Sequence, residues 1–419
     1  MNNITPLQDY HFFAGHFIVI KEKQSLSLLP LGHARHYPLS FTEDKKILHG
    51  ELNFFNEVIF NHFNVLNTVE EDEVETVFSQ QHRQLIILNL LDNCFGHSLL
   101  KLFHATKFFK KYPESDFLLI IPVALKHFVN KSSGINQLVI KQTFKQIEAC
   151  KILNPIIQKF TQKYTTSFIG LVTTYDSFNK LDLINELKLL SGKPFSSVQK
   201  RNIIFYYRSD FFRKWSGNKQ HKRIISVFSF LRNFFEGVDF IVVGEKDKFC
   251  FPFWIKDERV TRYSESSDFY NNGLFDESLI TIGLTGSHML FPSLFSKMTV
   301  HLIQTYKIKN IAEDVVPVLS ENSSFNAYKH LYYFGNHSCS NISSLNLANK
   351  ILFHFQGAIE KEYKYTDSVL SQEAWISEKY PCFKYARVKE IREKFNKKES
   401  LKLRFQYYIE KLGITFLNN

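Results

Sequence analysis

The chain reads Gln84-Leu-Ile-Ile-Leu-Asn-Leu-Leu91, then Asp92-Asn-Cys-Phe-Gly96, then His97-Ser-Leu-Leu-Lys-Leu-Phe-His-Ala-Thr-Lys-Phe-Phe109, and this stretch decides the fold. The first segment is apolar at nearly every position, which is typical of a strand buried on both faces. The second contains turn-forming residues, and the third has apolar residues at helical spacing. A buried strand, a short loop and an amphipathic helix together predict a parallel sheet covered by helices.

The same alternation continues on both sides of a polar interruption. Another strand is predicted at Phe117–Pro122 and a third at Leu138–Ile140, before the polar stretch 191–201 that we interpret as a linker. Beyond it we predict strands at Asn202–Tyr207, Phe240–Val243, Leu279–Leu284 and Val300–Ile303 and helices at Arg223–Phe235 and Leu290–Met298. The predicted fold class is α/β, with two Rossmann-like parallel-sheet domains that face a central cleft and with C-terminal helices.

A length of 419 residues exceeds what one compact core usually organises. We therefore predict an N-terminal domain over 1–195 and a second domain over 196–345, followed by a helical segment over 346–419 that returns to the first domain. The first 80 residues look irregular, with short strands at Phe17–Lys21 and Leu26–Leu31 and an acidic patch at Val69–Glu75.

Composition limits the class of protein and its compartment. Hydrophobic residues make up 44% and charged residues 22%, which excludes a mainly disordered chain. No apolar run reaches the length of a membrane span, and no secretory signal opens the chain. Five scattered cysteines without a Cys-x-x-Cys pair indicate free thiols. We expect a cytoplasmic protein, with the inner face of the membrane as a second position.

The net charge of +11 favours anionic partners. One candidate surface is the lysine-rich stretch Lys384–Leu412, which has two interpretations. It is either a terminal helix with a solvated basic face or a peripheral contact with an acidic membrane leaflet. The basic residues are dispersed along the chain and no nucleic-acid module is recognisable, so we expect no nucleic-acid partner.

The first of three candidate loops follows the strand at residues 84–91. Asp92 and His97 are expected at the carboxyl edge of the sheet, where ligands bind in open parallel sheets. Either side chain could take a proton from an acceptor hydroxyl. The alternative is an ordinary helix cap with a nearby histidine. Gly96 is expected to allow a tight turn.

The other two candidate loops lie in the second half. Arg208, Arg213 and Lys214 follow the strand at 202–207 and could hold a diphosphate, or they form a solvated basic loop. Gly286, Ser287 and His288 follow the strand at 279–284 in a Gly-x-x-Gly-Ser turn that could cradle a phosphate, or they form an ordinary strand-to-helix turn. This turn is neither a Walker A loop nor a Gly-x-Gly-x-x-Gly motif.

With these loops the chain resembles glycosyltransferases of the B-type fold, including bacterial surface-polysaccharide enzymes. Gly283–Ser293 is similar to their Gly-x-His-Gly-Ser loop, with Thr285 where histidine is usual, and Phe205–Asp210 is similar to their strand-then-arginine motif for the leaving diphosphate. Leu85–Leu100 resembles the acceptor-side loop of heptosyltransferase-like members. The resemblance covers roughly residues 83–320. It implies a nucleotide-sugar donor, held mainly by the second domain, and a glycan or glycolipid acceptor.

No Asp-x-Asp follows an apolar strand, and histidines such as His33, His36, His62 and His104 lack ligand-like spacing. We therefore expect no metal and no cofactor beyond the donor. The function expected from the sequence is sugar transfer to a hydroxyl, with inversion. The alternatives are a non-catalytic protein that binds nucleic acid or another anionic ligand, and a degenerate transferase scaffold, which the departure at Thr285 suggests.

Overall fold

The computed structural model describes 4–15, 17–30, 38–53, 56–62, 70, 74–92, 94–129, 135–141, 152–174, 178–179, 183–187, 201–208, 217–261, 265–303, 318–319, 330–334, 343–364, 366 and 368–393. Its strands are β1 (Ile4–Pro6), β2 (His11–Ala14), β3 (Phe17–Glu22), β4 (Ser25–Pro30), β5 (Leu39–Thr42), β6 (Ile47–Gly50), β7 (Val74–Val77), β8 (Gln84–Asn89), β9 (Asp116–Pro122), β10 (Asn136–Ile140), β11 (Thr166–Gly170), β12 (Phe178–Asn179), β13 (Asn202–Tyr207), β14 (Asp239–Gly244), β15 (Ile255–Asp257), β16 (Ser278–Leu284), β17 (Met298–Ile303), β18 (Val318–Leu319) and β19 (His330–Phe334). Its helices are α1 (Glu57–His62), α2 (Phe95–Lys111), α3 (Asn154–Thr161), α4 (Gly217–Leu231), α5 (Glu265–Asp276), α6 (Leu290–Phe295), α7 (Ser344–Tyr363) and α8 (Gln372–Lys379), with 3-10 segments at Val123–Phe128 and Ser287–Met289.

The first half is built on a six-stranded sheet in the order β1-β11-β8-β9-β10-β7. Its four central strands are parallel, while β1 and β7 pair antiparallel at the two edges. Leu85, Ile86, Ile87 and Leu88 are fully buried, as the uninterrupted apolar run predicted. The end of the predicted acidic patch is instead the start of β7, because Val74 alternates with polar neighbours and is buried against β10.

The N-terminal region is more regular than its sequence suggested. Strands β2 to β6 form a five-stranded antiparallel meander. Its apolar side chains pack with Ile59 of α1 in a small core of their own. Phe13 and Ile18 face the other way and join the core of the first parallel sheet, while Asn89 donates a hydrogen bond to the Gly15 carbonyl at 2.8 Å. The meander therefore covers one face of the first sheet.

The second half contains a six-stranded, fully parallel sheet in the order β15-β14-β13-β16-β17-β19. Counted from β13, this is the 3-2-1-4-5-6 order of a doubly wound fold, in which ligands bind beyond the carboxyl ends of strands 1 and 4. Those strands are β13 and β16. The predicted fold class is confirmed: the chain is α/β with two Rossmann-like halves built on parallel strands.

The C-terminal helices differ from the expectation that they return to the first domain. Ile351 and Phe355 of α7 lie in the core of the second half, together with Ile376 of α8 and Val388 of the helical residues 385–393. The apolar stripe of α7 packs against α4, which covers the second sheet. The predicted linker lies outside the described residues apart from Arg201, and so does the remainder of the lysine-rich stretch beyond residue 393.

Candidate active site

The two halves meet at the loops that the sequence singled out. The apolar core of the first half continues into the second through residues such as Ile204 and Leu290. At Gly96 the approach is so close that a Cβ atom there would lie 2.2 Å from the Cβ of Ser287. The expected tight turn at Gly96 is wrong, because this residue lies in the first turn of α2. Glycine is needed there because the loop after β16 leaves no room for a side chain.

Asp92 is held between two side chains of α2. Its Oδ1 lies 3.0 Å from His97 Nδ1, and its Oδ2 lies 3.0 Å from Lys101 Nζ. Asp92 is 2% exposed and Lys101 is fully buried, whereas the His97 side chain keeps 14% of its surface exposed. The alternative of Asp92 as a helix cap does not hold, because the N-cap of α2 is Cys94. Lys101 holds one oxygen of the Asp92 carboxylate, and the other oxygen orients the imidazole of His97.

Cys94 stands where the first half touches the second. Burial raises the pKa of its thiol, while hydrogen bonds, including one with Ser287, oppose the shift. The thiol is therefore protonated near neutrality, which makes it a poor nucleophile. In this site Cys94 contributes a contact between the two halves, through its hydrogen bond with Ser287.

Arg208 and His288 are brought together in the second half. Arg208 directly follows β13, and its Nη1 lies 3.3 Å from Nδ1 of His288. Gln220 donates to the Arg208 carbonyl at 2.6 Å, which fixes the backbone at this point. Tyr206 contacts the His288 ring edge-on, with 4.6 Å between ring centroids. Arg213 and Lys214, the other two predicted donor ligands on this loop, lie outside the described residues.

The loop after β16 does not run directly into a long helix. Gly286 is extended, a 3-10 turn follows at Ser287–Met289, and α6 has six residues. The helix predicted over Leu290–Met298 ends at Phe295 because β17 begins at Met298. So short a helix sums few peptide dipoles, and the site depends on side chains instead. Thr285 is buried, and its hydroxyl donates to the Leu302 carbonyl at 3.1 Å, so it does not line the cleft.

A cavity of about 260 Å³ opens between the halves. Aromatic rings form much of its wall, and they come from both halves: Phe95, Phe128, Tyr206, Phe275 and Phe291. Its polar wall includes Ser287, Arg208, His288, Glu245 and Asn271. An apolar enclosure with a few convergent polar groups is the usual form of a small-molecule site.

Sequence analysis missed the polar residues at one end of this cavity. His127 follows the carboxyl end of β9, and its Nε2 lies 3.2 Å from Nδ2 of Asn272 in the second half. Asn271 is 3% exposed, and among the described residues its Nδ2 has no hydrogen-bond partner. The position of His127 after a buried strand was a usable signal, whereas nothing in the local sequence marks the two asparagines.

A cluster of charged residues contacts Tyr207, the last residue of β13. The Tyr207 hydroxyl donates to Asp247 at 2.5 Å, and Arg259 donates to Asp247 at 2.8 Å and to both carboxylate oxygens of Asp257. Although burial raises the pKa of Asp247, hydrogen bonds from Tyr207 and Arg259 bring it below its ordinary value. The cluster fixes the strand end from which Arg208 emerges.

Within the described part of the chain, no group of three or more His, Cys, Asp or Glu side chains is arranged to hold a metal ion. In the same residues, no helix combines the length and the apolar character needed to cross a membrane.

No protein-family model and no curated protein matches the sequence. Among solved structures, the chain is similar to E. coli heptosyltransferase WaaC with ADP, at 8% identity and a TM-score of 0.38, over 65% of this chain and 99% of that chain. A glycosyl transferase of family 9 from Veillonella parvula is similar at 11% identity and a TM-score of 0.40, over 67% and 99%. The iron-containing dodecameric glycosyltransferase TibC from enterotoxigenic E. coli is similar at 9% identity and a TM-score of 0.29, over 75% and 84%.

Proposed function

We propose that the protein is a glycosyltransferase that moves a sugar from a nucleotide-sugar donor to a hydroxyl acceptor, without a metal ion. The observation that carries the proposal is the cavity between the halves. Its wall contains the Arg208–His288 pair of the second half and Phe95 of the first. Gly96, which precedes His97, packs against Ser287 of the same wall, so the loop that carries Asp92 and His97 adjoins the cavity. The proposal rests on this site and not on the weak structural likenesses.

The second half would bind the donor. The Arg208 guanidinium carries a fixed positive charge and a planar set of donors that matches phosphate oxygens. His288, Ser287 and Gly286 lie next to it and complete the phosphate contacts in this proposal, with Arg213 and Lys214 as further ligands. A leaving diphosphate gains negative charge as its bond to the sugar breaks, and cationic side chains stabilise that charge without a metal.

The first half would supply the base. Asp92 accepts the Nδ1 proton of His97, which leaves the lone pair of the neutral ring on Nε2. In the proposed reaction the acceptor hydroxyl gives its proton to Nε2, and its oxygen bonds to the anomeric carbon. The bond from that carbon to the diphosphate oxygen breaks on the opposite face, so the configuration inverts.

The acceptor and location follow from charge and chemistry. A protein with a net charge of +11 is suited to an anionic acceptor such as a glycan or glycolipid at the inner face of the membrane. Free thiols at Cys94, Cys250 and Cys382 fit the reducing cytoplasm. Both assignments belong to the proposal.

Binding to nucleotides tests the proposal most directly. Thermal shift and calorimetry with UDP, GDP, CMP, dTDP and ADP, each with and without EDTA, measure whether a nucleotide stabilises the native state. ADP is included because the WaaC structure contains it. We expect one nucleoside diphosphate to bind and EDTA to have no effect. Stabilisation by oligonucleotides alone would instead favour a nucleic-acid binding protein, and nucleotide binding without sugar transfer a degenerate scaffold.

A further inference from the structure

Lys101 is a lysine in an unusual place. It lies one helical turn after His97 on the same face of α2, and its side chain has no exposed surface. Its Nζ donates to the Leu91 carbonyl at 2.6 Å and lies 3.0 Å from Asp92 Oδ2. Lysine is almost never fully buried unless it is paired. One carboxylate oxygen of Asp92 thus contacts Lys101, and the other contacts His97.

We infer that Lys101 is a positioning residue, whose buried ammonium keeps the Asp92 carboxylate charged and fixed so that Asp92 orients His97 and does not itself accept the proton of the acceptor. This inference rests on the proposed function. It separates the roles of two residues that the sequence could not distinguish.

The energetic argument starts from the burial of both charges. Burial lowers the pKa of Lys101, while the charge of Asp92 and its hydrogen bond oppose that lowering, so the ammonium depends on the carboxylate beside it. A buried ion without its counter-ion is strongly unfavourable, so the loss of either charge exposes the other to that cost. Protonation of Asp92 during the reaction would neutralise the carboxylate and leave the Lys101 ammonium buried and uncompensated. The proton is accommodated at lower cost on His97, the member of the group with the most exposed side chain.

Lys101 also places a positive charge on the side of Asp92 that faces away from His97. A carboxylate 3.0 Å from Nδ1 stabilises imidazolium, but the ammonium on its other oxygen offsets part of that charge. The buried thiol of Cys94, at the start of the same helix, adds no charge near neutrality because burial raises its pKa. The contact with Asp92 therefore holds the His97 ring in one orientation, and Lys101 reduces the net negative charge beside that ring.

The test compares Lys101→Met with Lys107→Met, a substitution of an exposed lysine on the same helix. In Lys101→Met we expect turnover to fall about 10–100-fold with the affinity for the nucleoside diphosphate unchanged, comparable to the loss of a residue that orients a functional histidine. The acid limb of the pH–rate profile should move to higher pH, because Asp92 then acts on His97 without a neighbouring cation. Lys107→Met should match the native protein.

An unchanged acid limb in folded Lys101→Met would overturn the inference, and so would turnover retained in His97→Gln.

Two further measurements cover loss of folding and failure of the proposed function. Asp92→Asn/Lys101→Met removes both charges, so its loss of melting temperature should be smaller than the sum of the losses in the single variants. Additive losses would show that the charges are not coupled. Nitrogen-15 NMR of His97 reports its tautomer and its titration without any substrate. If the native protein binds no nucleotide but His97 is the Nδ1–H tautomer and its titration moves upward in Lys101→Met, the proposed function fails while the charge coupling stands.

Discussion

Replacement of Gly96 by alanine tests whether the contact between the halves sets the geometry of the site. The added Cβ would lie 2.2 Å from Ser287 Cβ, 3.0 Å from Leu290 Cδ1 and 3.2 Å from Ser287 Cα. An ordinary contact at Cβ begins near 3.4 Å, so the two loops must separate by about 1.2 Å. Leu290 Cδ1 is the end of a side chain and can move, but Ser287 Cα and Cβ are fixed by the backbone and cannot swing aside.

The magnitude follows from two effects of that displacement. Overpacking of this kind costs about 1–3 kcal/mol, and the better helix propensity of alanine returns at most about 1 kcal/mol of it. A displacement near 1 Å between a base and the group that it serves reduces turnover about 100-fold. We therefore expect Gly96→Ala to lower the melting temperature modestly and turnover severely, with little change in the affinity for the nucleoside diphosphate, because Arg208 and His288 stay together on the second half.

The control is Gly273→Ala on α5, where an added Cβ meets no atom of the described residues within 4 Å outside the backbone of its own helix and its chain neighbours. Alanine in that helix interior should raise stability by about 0.5–1 kcal/mol and leave turnover unchanged. Calorimetric melting and steady-state sugar transfer on both variants decide the matter. If Gly96→Ala melts and turns over like the native protein, the halves do not meet through this contact in solution, and the reasoning is refuted.

Three other changes have defined outcomes. Arg208→Ala removes a charge-assisted contact of about 1.5–3 kcal/mol, so calorimetry should show the nucleoside diphosphate binding roughly 10–150-fold more weakly; unchanged affinity in a folded variant would exclude Arg208 as a phosphate ligand. The variant His97→Ala should lose about 10²–10⁴-fold in turnover while its affinity for the donor stays intact. The variant Asp92→Asn should also lose turnover, because the tautomer of His97 is no longer fixed. Normal turnover in both variants would remove this loop from the mechanism. Burial lowers the pKa of His301 to about 3, against about 6.5 in an unfolded chain. The contribution of His301 to the free energy of unfolding is therefore fully present above pH 6.5 and is lost as the pH falls towards 3. Replacement of His301 by asparagine should flatten that part of the stability–pH curve measured by denaturant unfolding, and an unchanged curve would contradict the assignment.

The parts of the fold that the sequence predicted are those with local signals. The central strands β8, β9, β13, β14 and β16 are continuous apolar runs, and such runs mark strands buried on both faces. In the meander, β3 and β4 correspond to the strands predicted at Phe17–Lys21 and Leu26–Leu31, whereas β2, β5 and β6 have four residues each and were not recognised. The side on which the C-terminal helices pack depends on contacts between Phe355 or Ile376 and residues more than 100 positions earlier, and no local pattern contains that information.

The residues of the candidate site also fall into two groups: those that the sequence located and those that it did not. Asp92, His97, Arg208 and the loop after β16 follow strand ends, and the topology of parallel sheets alone brings such positions to one edge. Burial of a charged side chain is different, because a lysine at helical spacing is expected on the solvent side. Nothing in the pattern around Lys101 shows that its face of α2 turns inward towards Asp92.

The apolar core between the halves gives these assignments a common physical basis. Leu99 of α2, Ile204 of β13 and Leu290 of α6 belong to one buried cluster, so the first half and the second share packing. Packed interiors resist deformation, and a shared core therefore fixes the separation of His97 from Arg208 more firmly than a linker could. Under the proposed function, the base His97 and the phosphate ligand Arg208 each follow a strand end, but the proposed reaction needs both at a set distance. That distance depends on the packing of Gly96 against Ser287 and Leu290. Gly96 and Leu290 contribute no chemical group to the proposed reaction, and we expect them to affect turnover as strongly as the residues that do.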